Sequence, residues 1–527
     1  MMSVKRIAIT LVALMALPAG ASAAAKWLPP SVIAPQARGT GAPSVAGNDG
    51  GRVVAAWATS TGVVATLRTP GGPWYAPVRV PGSGPAATQV STAMTTGGLA
   101  AVAWVHRGRV RVSVRPARQR FLPAVTVSGA RRVASTPVMA FGGPCAPLIV
   151  WSEQVTSGGA SAIMSACASA AGVFATARPV SATGDNAFTP TVAASRGGTV
   201  VAWRSDAADQ YHVRAALRQR NGSFTVSGDV SQASASVFVD PAVTIAPTGD
   251  ATAVWTLSRG ADLITQSATL PAGGTWGRVN DLSRVGGHAR GAQVATDASG
   301  DAVATWVRNG VVQATTRVVG QPWAPPRDLS DASITAGGPR LSVSASGAAL
   351  VTWPAVTGTT AIAQATLRSA GGDFGAPATI SDPRFSALAP QGAIGDDGIA
   401  PVAWQWLDPT LESFLAPAGV TSATGFAGSD QPGPAIVVDL RARPSSVRPG
   451  QRILVTFGLS DRSRVRLVIT PASGGAVKGA LSVSGADGAN AIAFEGGLGG
   501  ASLGRGRWRL RATPAGGLSR SLVLVVR

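Results

Sequence analysis

The 527-residue sequence is poor in the residues that build most catalytic and metal centres. It contains two cysteines, three histidines and two tyrosines. Two cysteines exclude a fold held together by a disulfide framework, and they exclude most zinc sites built from cysteine. The histidines, His106, His212 and His288, show no metal-ligand spacing. The sequence therefore predicts no cofactor, no catalytic motif and no metal site. A loop calcium at the acidic turns Asp297 to Asp301 and Asp396 to Gly398 is the alternative.

Charged residues are also scarce, at 13% of the chain. That fraction excludes a disordered polyelectrolyte and a coiled coil. The 65 glycines and 37 prolines together stay below the roughly 25–30% that marks low-complexity disorder. Apolar residues make up 45% of the chain, yet no stretch keeps them at helical spacing. We therefore expect an all-β protein with a large buried core.

Long apolar runs are missing too, since none reaches the roughly 18 residues that a membrane span requires. The N-terminus combines Lys5 and Arg6 with an apolar run from Ile7 to Leu17 and the small residues Ala21 to Ala23. This order is typical of a secretory signal peptide, and an uncleaved anchor is the alternative. We therefore expect residues 1–24 to be removed. The mature protein is then secreted, extracellular or at the cell surface, without a transmembrane segment.

One pattern recurs along the chain: a glycine, five further residues, and a tryptophan that ends a run of β-forming residues. The tryptophans are 47 to 52 residues apart, at Trp57, Trp104, Trp151, Trp203, Trp255, Trp306, Trp353 and Trp404. In the third repeat, Cys145 replaces the glycine. Glycine at this position fits a turn with positive φ before a strand. A period near 50 residues with several short strands is typical of β-propeller blades, so we predict a propeller over residues 25–420.

A second aromatic position follows every repeated tryptophan except the last. Its copies are Trp74, Phe121, Phe174, Phe224, Trp276, Trp323 and Phe374. An eighth copy lies near the N-terminus, in Trp27 to Ile33. We therefore predict that this N-terminal strand is the outer strand of the last blade and closes an eight-bladed ring, which removes exposed sheet edges. A seven-bladed ring with one degenerate unit and an open array are the alternatives.

The two cysteines flank the tryptophan of the third repeat. Strands paired about a turn near Thr156 to Gly159 place Cys145 opposite Cys167, so a cross-strand disulfide is predicted. Export to an oxidising compartment favours the disulfide. A reactive thiol is the alternative.

After Ala418 the repeat ends, and the chain changes character. Residues 421–433 are predicted to be a linker rich in Gly, Ser, Asp and Pro. Residues 434–527 contain some seven short strands with turns such as Arg448 to Gly450, which is typical of a small β-sandwich.

Two resemblances accompany these patterns. The segments Ile453 to Ser460, 496–510 and Ser519 to Arg527 resemble immunoglobulin/fibronectin-like modules of secreted actinobacterial proteins. The repeats are loosely similar to secreted bacterial propellers of the sialidase or Asp-box kind. In the nearest Asp-box-like segment, Asp297 to Asp301, the aromatic Trp306 comes later than in that motif. The resemblance implies the propeller fold and an adhesive or spacer sandwich, and it carries over no catalytic residue.

Positive charge is concentrated in residues 434–527, which have fourteen Lys and Arg against four Asp and Glu. The arginines alternate along two segments, as Arg462, Arg464 and Arg466, and as Arg505, Arg507, Arg509 and Arg511. Alternation places each set on one face of a strand. Such a face attracts anionic polymers of the cell envelope, and a solvated outer face is the alternative. We expect no nucleic acid partner, because no aromatic residues for base stacking accompany the arginines.

Four residues of the repeats are candidates for ligand binding. Arg290, Arg340 and Arg384 lie at the starts of predicted inner strands and are expected to converge on the central funnel, where propellers bind ligands. Tyr211, near Asp206, is the fourth candidate, and a solvent-exposed polar loop is the alternative interpretation.

The sequence predicts a non-catalytic binding or scaffold protein. The propeller would present a ligand or protein-partner surface, and the basic C-terminal part would bind anionic envelope glycans or related polymers. The alternative is a sialidase-like glycoside hydrolase, which needs a Tyr nucleophile with a Glu partner, an Asp acid and an arginine cluster. No pair of carboxylates stands at catalytic spacing in the sequence, and the sequence makes no prediction of the oligomeric state.

Overall fold

A computed structural model describes residues 26–37, 40–130, 132–142, 145–154, 159–169, 171–182, 184–207, 210–219, 221–232, 237–407, 418–427, 435–495, 497–498 and 501–527. The predicted signal peptide lies outside these residues. The described residues contain strands and no helix, so the all-β prediction is confirmed. Among them there is accordingly no helix that is long and apolar enough to cross a membrane.

The described part of residues 26–427 forms eight antiparallel sheets, named first to eighth in chain order. Two short strands come before them, β1 (Lys26–Trp27) and β2 (Ser31–Ala37). The first sheet consists of β3 (Ser44–Gly47), β4 (Val53–Thr59), β5 (Gly62–Arg68) and β6 (Val78–Arg79). The second consists of β7 (Ala87–Met94), β8 (Ala100–His106), β9 (Arg109–Arg115) and β10 (Val125–Thr126).

The next three sheets repeat this order of four strands. The third consists of β11 (Ala134–Gly142), β12 (Cys145–Gln154), β13 (Ser161–Cys167) and β14 (Arg178–Pro179). The fourth consists of β15 (Ala187–Ser195), β16 (Gly198–Ala207), β17 (Gln210–Arg218) and β18 (Phe224–Asp229). The fifth consists of β19 (Val237–Ile245), β20 (Ala251–Arg259), β21 (Asp262–Leu270) and β22 (Asn280–Asp281).

The last three sheets complete the repeats. The sixth consists of β23 (Ala289–Thr296), β24 (Ala302–Arg308), β25 (Val311–Arg317) and β26 (Arg327–Asp328). The seventh consists of β27 (Thr335–Ala336), β28 (Arg340–Val343), β29 (Ala349–Thr357), β30 (Thr360–Arg368) and β31 (Ala378–Thr379). The eighth consists of β32 (Ser386–Gly392), β33 (Ile399–Leu407) and β34 (Ala418–Phe426), with β1 and β2 paired to β34.

The core lies between neighbouring sheets, and the repeated tryptophans fill it. All eight are at most 2% exposed, because their strands are covered on both faces. Consecutive sheets share hydrophobic clusters from the first to the eighth. A further cluster joins Val45 and Trp57 of the first sheet to Ala403 and Val420 of the eighth. The eighth sheet therefore packs on the first as well as on the seventh.

The N-terminal strand pairs with the eighth sheet in the register of an ordinary outer strand. Trp27 lies opposite Gly425 and Ser31 opposite Ser422. In the first sheet, Trp74 lies opposite Arg68 and Val78 opposite Ala65, with the same spacings. The segment Trp27 to Ile33 thus occupies the position that Trp74 and β6 occupy in the first sheet.

The turns between the first and second strands hydrogen-bond from sheet to sheet. Nδ2 of Asn48 in the first sheet donates to the Thr95 carbonyl of the second over 2.7 Å. The amide of Asp396 in the eighth sheet donates to the Asp49 carbonyl of the first over 2.9 Å. The amide of Ala345 in the seventh donates to Oδ1 of Asp49 over 3.0 Å. Asp49 therefore links the first sheet to two others.

The predicted disulfide between Cys145 and Cys167 is confirmed. It joins the start of β12 to the end of β13, with Cα atoms 5.1 Å apart. No free cysteine occurs in the described chain.

The C-terminal part forms two sheets around one core, and we call it the C-terminal module. Its strands are β35 (Val437–Arg443), β36 (Ser446–Val447), β37 (Arg452–Leu459), β38 (Ser463–Pro471), β39 (Gly479–Gly485), β40 (Gly488–Glu495), β41 (Gly497–Leu498), β42 (Ala501–Ser502), β43 (Gly506–Pro514) and β44 (Arg520–Val526). One sheet has the order β35-β37-β40, the other β36-β44-β43-β38-β39, and β41 pairs with β42. A single cluster that includes Ile453, Leu467 and Leu510 fills the space between the two main sheets.

The boundary between the repeats and the module differs from the predicted one. Residues 421–426 belong to β34, which pairs with β33 and β2, so the predicted linker 421–433 starts too early. These small and apolar residues hydrogen-bond as a third strand. Residues 428–433 of the predicted linker lie outside the described residues.

The module packs against the first and eighth sheets. Leu28, Ile399 and Phe426 of the repeats form a buried cluster with Val438 of the module. Beside this cluster, Nη2 of Arg68 donates to Oδ1 of Asp439 over 3.0 Å, and the side chain of Arg68 is 1% exposed. The contact therefore combines apolar burial with an ion pair of which the arginine is buried and the aspartate partly buried.

Candidate functional site

The module carries a cationic surface on its five-stranded sheet. Along β43, the arginines at 507, 509 and 511 alternate with buried side chains, and those at 464 and 466 do so along β38. Because β38 pairs with β43, these arginines share one face of the sheet. We define the arginine face by five residues, Arg464, Arg466, Arg507, Arg509 and Arg511.

The two other arginines of the predicted sets do not belong to these strands. Arg462 precedes β38, which starts at Ser463, and Arg505 precedes β43, which starts at Gly506. Both are exposed. The prediction of two strand-borne sets thus holds for five of the seven arginines.

Among the described residues, no carboxylate compensates the arginine face. In the part of the chain that the structure describes, none of its five arginines forms an ion pair. Two acids of the module are used elsewhere, since Asp439 pairs with Arg68 and Asp461 with Lys26. Arginine side chains on alternate residues start about 7 Å apart along a strand. The face can therefore contact several charges of one extended polyanion.

Register places the arginines of the two strands diagonally across the pairing. Arg511 lies opposite Val468, and Arg509 lies opposite Thr470. Because each arginine faces an uncharged side chain, direct cross-strand repulsion is avoided. Nη2 of Arg509 donates to the Ala472 carbonyl over 3.1 Å, which holds one guanidinium against the sheet.

The four candidate ligand-binding residues of the repeats lie at one end of the sheets. Arg290 is the second residue of β23, and Arg340 is the first residue of β28. Arg384 lies just before β32, and Tyr211 is the second residue of β17. First strands start at the end where second strands finish, because neighbouring strands are antiparallel. The C-terminal module contacts the opposite end, where β5 finishes at Arg68.

The backbone segments that carry two of the three arginines lie beside each other. The backbone of Gly291, next to Arg290, lies beside Gly338, two residues before Arg340. Both arginines are exposed. Arg384 differs, because its Nε donates to both carboxylate oxygens of Asp382 over 3.0 and 3.1 Å. Its charge is therefore already compensated within its own turn.

Tyr211 lies in a stack of aromatic and cationic side chains in the fourth sheet. It is 37% exposed and lies opposite Asp206 in the register. Cζ of Arg204 is 5.2 Å from the centroid of the Tyr211 ring and 5.7 Å from that of Phe188. A guanidinium over aromatic rings is attracted by their π-electrons. Sequence reasoning missed Phe188 and Arg204, whose proximity depends on strand register.

The same sheet contains a network of charged side chains. Nη1 of Arg214 donates to Asp185 over 3.0 Å, and its Nε donates to Asp229 over 2.7 Å. Burial lowers the pKa of Arg214, but its bonds to Asp229 and Asp185 outweigh burial and hold it above the usual value. The buried Nδ1 of His212 lies 3.9 Å from Oδ2 of Asp229. This network ties β17 to β18 and to the turn before β15.

Glu153, a candidate for the Glu partner of a Tyr nucleophile, is buried and already hydrogen-bonded. It is 1% exposed and accepts hydrogen bonds from Nε1 of Trp151, the amide of Gly129 and Nη1 of Arg132, over 2.8, 3.2 and 3.2 Å. All three donors belong to the third sheet or its turns. Glu153 therefore anchors a core tryptophan. Glu412 lies outside the described residues.

In the acidic turns at Asp297 and Asp397, the carboxylates accept hydrogen bonds from backbone amides. Oδ1 of Asp297 accepts from the amides of Ser299 and Asp301 over 2.8 and 3.0 Å. Oδ1 of Asp397 accepts from the amide of Ile399 over 3.1 Å. Within the described residues, no group of three or more His, Cys, Asp or Glu has the arrangement of a metal site.

No protein-family model and no curated protein sequence matches the chain. Among solved structures, it is similar to a fungal alcohol oxidase of the AA5 family in complex with copper, at 12% identity over 95% of this chain and 99% of that chain, with a TM-score of 0.43. It is similar to the β-propeller domain of the Trilobed protease from Pyrococcus furiosus, at 8% identity over 66% and 97%, with a TM-score of 0.42.

A third similar structure is a polysaccharide lyase, a PL25 ulvan lyase, at 10% identity over 75% of this chain and 95% of that chain, with a TM-score of 0.42. Likenesses this distant carry no inference about activity. The β-propeller-like fold of this chain rests on its own four-stranded antiparallel sheets, their order and the cores between them.

Proposed function

We propose that this protein is an exported, non-catalytic binding protein whose arginine face holds it to anionic polymers of the cell envelope. The observation that carries the proposal is the presence of five arginines on one sheet face, for which the described residues supply no ion-pair partner. Arginine forms strong charge-assisted hydrogen bonds to phosphate, sulfate and carboxylate groups. An extended polymer with repeated anionic groups matches a face on which the arginines of β38 and then those of β43 follow one another along the two paired strands.

The repeats serve in this proposal as an eight-bladed ring that presents ligand or partner surfaces. Three observations support closure between the first and eighth sheets: the shared core cluster, the hydrogen bonds of Asp49, and the register of β1 and β2 on β34. The C-terminal module, with two sheets around one core, serves as an immunoglobulin-like sandwich fixed to the ring.

The test is binding of the purified protein to immobilised poly(glycerol phosphate), with neutral dextran as the surface control. Because the attraction is electrostatic, we expect affinity to fall by roughly tenfold or more between about 50 and about 200 mM NaCl. Replacing the five arginines of the face by Gln is expected to remove binding. Binding by the parent protein that ignores salt would contradict the proposal.

A matched control separates a specific face from net charge alone. Five exposed arginines of the repeats, Arg107, Arg118, Arg120, Arg278 and Arg284, are replaced by Gln in a second variant. This variant loses the same charge and is expected to bind the polymer nearly as the parent does. An equal loss of polymer affinity in both variants would show that only net charge matters and would contradict the assignment of binding to the arginine face.

A second candidate function is sialidase-like hydrolysis of extracellular glycans. It is favoured by Tyr211, which is exposed at the same end of the sheets as Arg290 and Arg340 and lies opposite Asp206. Release of sialic acid from sialyllactose, lost in Tyr211→Phe, would support this function over the non-catalytic one. No release by the parent protein would remove it.

A further inference from the structure

Two clefts of the same construction lie between neighbouring sheets. One lies between the third and fourth sheets and has a volume of about 200 Å³. The other lies between the sixth and seventh sheets and has a volume of about 390 Å³. In each, the outer strand of one sheet faces the turn after the third strand of the next. We call them the third–fourth cleft and the sixth–seventh cleft.

Each cleft has two arginines at corresponding positions. Arg178 in the outer strand β14 lies opposite Ser165, as Arg327 in β26 lies opposite Ala314. The second arginine ends the third strand of the next sheet, at Arg218 in β17 and Arg368 in β30. The repeats thus supply an internal comparison of one site in two forms.

In the sixth–seventh cleft both arginines have partners. Arg327 forms an ion pair with Asp373. Nε of Arg368 donates to the Gly372 carbonyl over 2.7 Å. The protein therefore supplies its own anion to this cleft.

The third–fourth cleft lacks that anion. Ser223 occupies the position that Asp373 has in the other cleft. Each directly precedes the second repeated aromatic residue of its sheet, which is Phe224 after Ser223 and Phe374 after Asp373. Among the described residues, no acid lines the third–fourth cleft. Neither Arg178 nor Arg218 forms an ion pair with any described residue. Two cations thus meet in one cleft without a counter-charge.

Asn221, a further residue of the cleft lining, adds a donor. Oδ1 of Asn221 accepts from the amide and Oγ of Ser223 over 3.0 and 2.7 Å. Because Oδ1 is occupied in this way, the amide nitrogen of Asn221 remains as a donor. Burial, and then the charge of Arg178, lower the pKa of Arg218, in agreement with the place of both arginines in the lining of one cleft.

We infer that the third–fourth cleft binds a small oxyanion, such as a sulfate, phosphate or carboxylate group, held by Arg178, Arg218 and the amide of Asn221. The planar guanidinium groups match these anions in a bidentate manner, and the cleft has room for one such group. The site lies on the repeats and is separate from the arginine face.

The experiment is isothermal titration of the purified protein with inorganic sulfate, inorganic phosphate and glucuronate at a constant, moderate salt concentration. We expect one binding site for at least one of the three anions, and their ranking identifies the preferred group. Arg178→Gln and Arg218→Gln are each expected to weaken binding by about tenfold, since each removes charge-assisted hydrogen bonds. The controls Arg327→Gln and Arg368→Gln change the corresponding cleft and should leave affinity unchanged.

Two exchanges between the clefts test the cause directly. Ser223→Asp supplies the missing carboxylate and is expected to abolish binding, whereas Asp373→Ser is expected to raise the stoichiometry from one to two. A parent protein that binds none of the three anions, Ser223→Asp that binds as the parent does, or unchanged stoichiometry in Asp373→Ser would overturn the inference. The five-Gln variant of the arginine face should keep the site, so failure of polymer binding is distinguishable from failure here.

Discussion

In the repeats, Arg68 is buried against Asp439 of the module, and Arg214 lies between two aspartates. On the arginine face of the module, in contrast, five arginines share a surface without a carboxylate among the described residues. The same side chain therefore has two uses in one chain. Where the protein supplies a carboxylate, arginine joins strands or domains, and where it does not, the guanidinium stays available to external anions.

The two regions also distribute their cores differently. The repeats have a separate hydrophobic cluster at each contact between sheets, usually around one tryptophan. The module has one cluster of mainly aliphatic residues between two sheets. Stability and anion binding should therefore respond to different substitutions.

The largest effect is expected from Trp255→Ala in the repeats. Trp255 is fully buried in the cluster between the fourth and fifth sheets, so its removal leaves a large cavity. We expect the free energy of unfolding to fall by about 3–5 kcal/mol, measured by urea denaturation followed by circular dichroism. Below the transition, binding to poly(glycerol phosphate) should be unchanged. A loss of polymer binding in the folded variant would break the separation between the two regions.

The second effect concerns the contact between the regions. Burial lowers the pKa of Arg68, and the charge of Asp439 opposes that shift. The variant Asp439→Asn therefore leaves the buried guanidinium of Arg68 without its counter-charge. Removing one partner of a buried pair is expected to cost about 3 kcal/mol.

The matched variant is Asp461→Asn, which breaks the exposed pair with Lys26. Exposed pairs contribute only about 0–1 kcal/mol, so this variant should unfold almost as the parent does. Equal losses in the two variants would contradict the view that burial of Arg68 makes the contact strong.

Much of the fold could be predicted from the sequence, because the signal repeats. Each second strand is covered on both faces, so it reads as an apolar run ending in tryptophan, and eight copies define eight sheets. The copy at Trp27 indicated an outer strand for the last sheet, and the structure pairs it there. Similarly, alternation of arginine with apolar residues in 507–511 indicated a strand with one buried face.

Features that depend on distant partners left no local signal. Arg68 and Asp439 are 371 residues apart, and nothing near either residue indicates that they meet. Residues 421–426 consist largely of small residues, so they read as a linker until β33 and β2 pair with them. Arg462 and Arg505 continue the alternation of their sets, but the strands β38 and β43 each start one residue later.

The smallest effect is expected at Arg384, a candidate ligand-binding residue whose charge is already compensated. Its hydrogen bonds to the carboxylate hold the pKa of Asp382 at about 2. Because the folded value is depressed, the pair stabilises the protein above the ordinary value of 3.8, and this contribution is lost as the pH falls toward 2. Arg384→Gln should therefore raise the pKa of Asp382 toward its ordinary value, as measured by NMR titration of the carboxyl carbon. Both residues are exposed, so neutral-pH stability should hardly change. An unshifted Asp382 titration would show that Arg384 is free, like the arginine face, and would return it to the ligand-binding candidates beside Arg290 and Arg340.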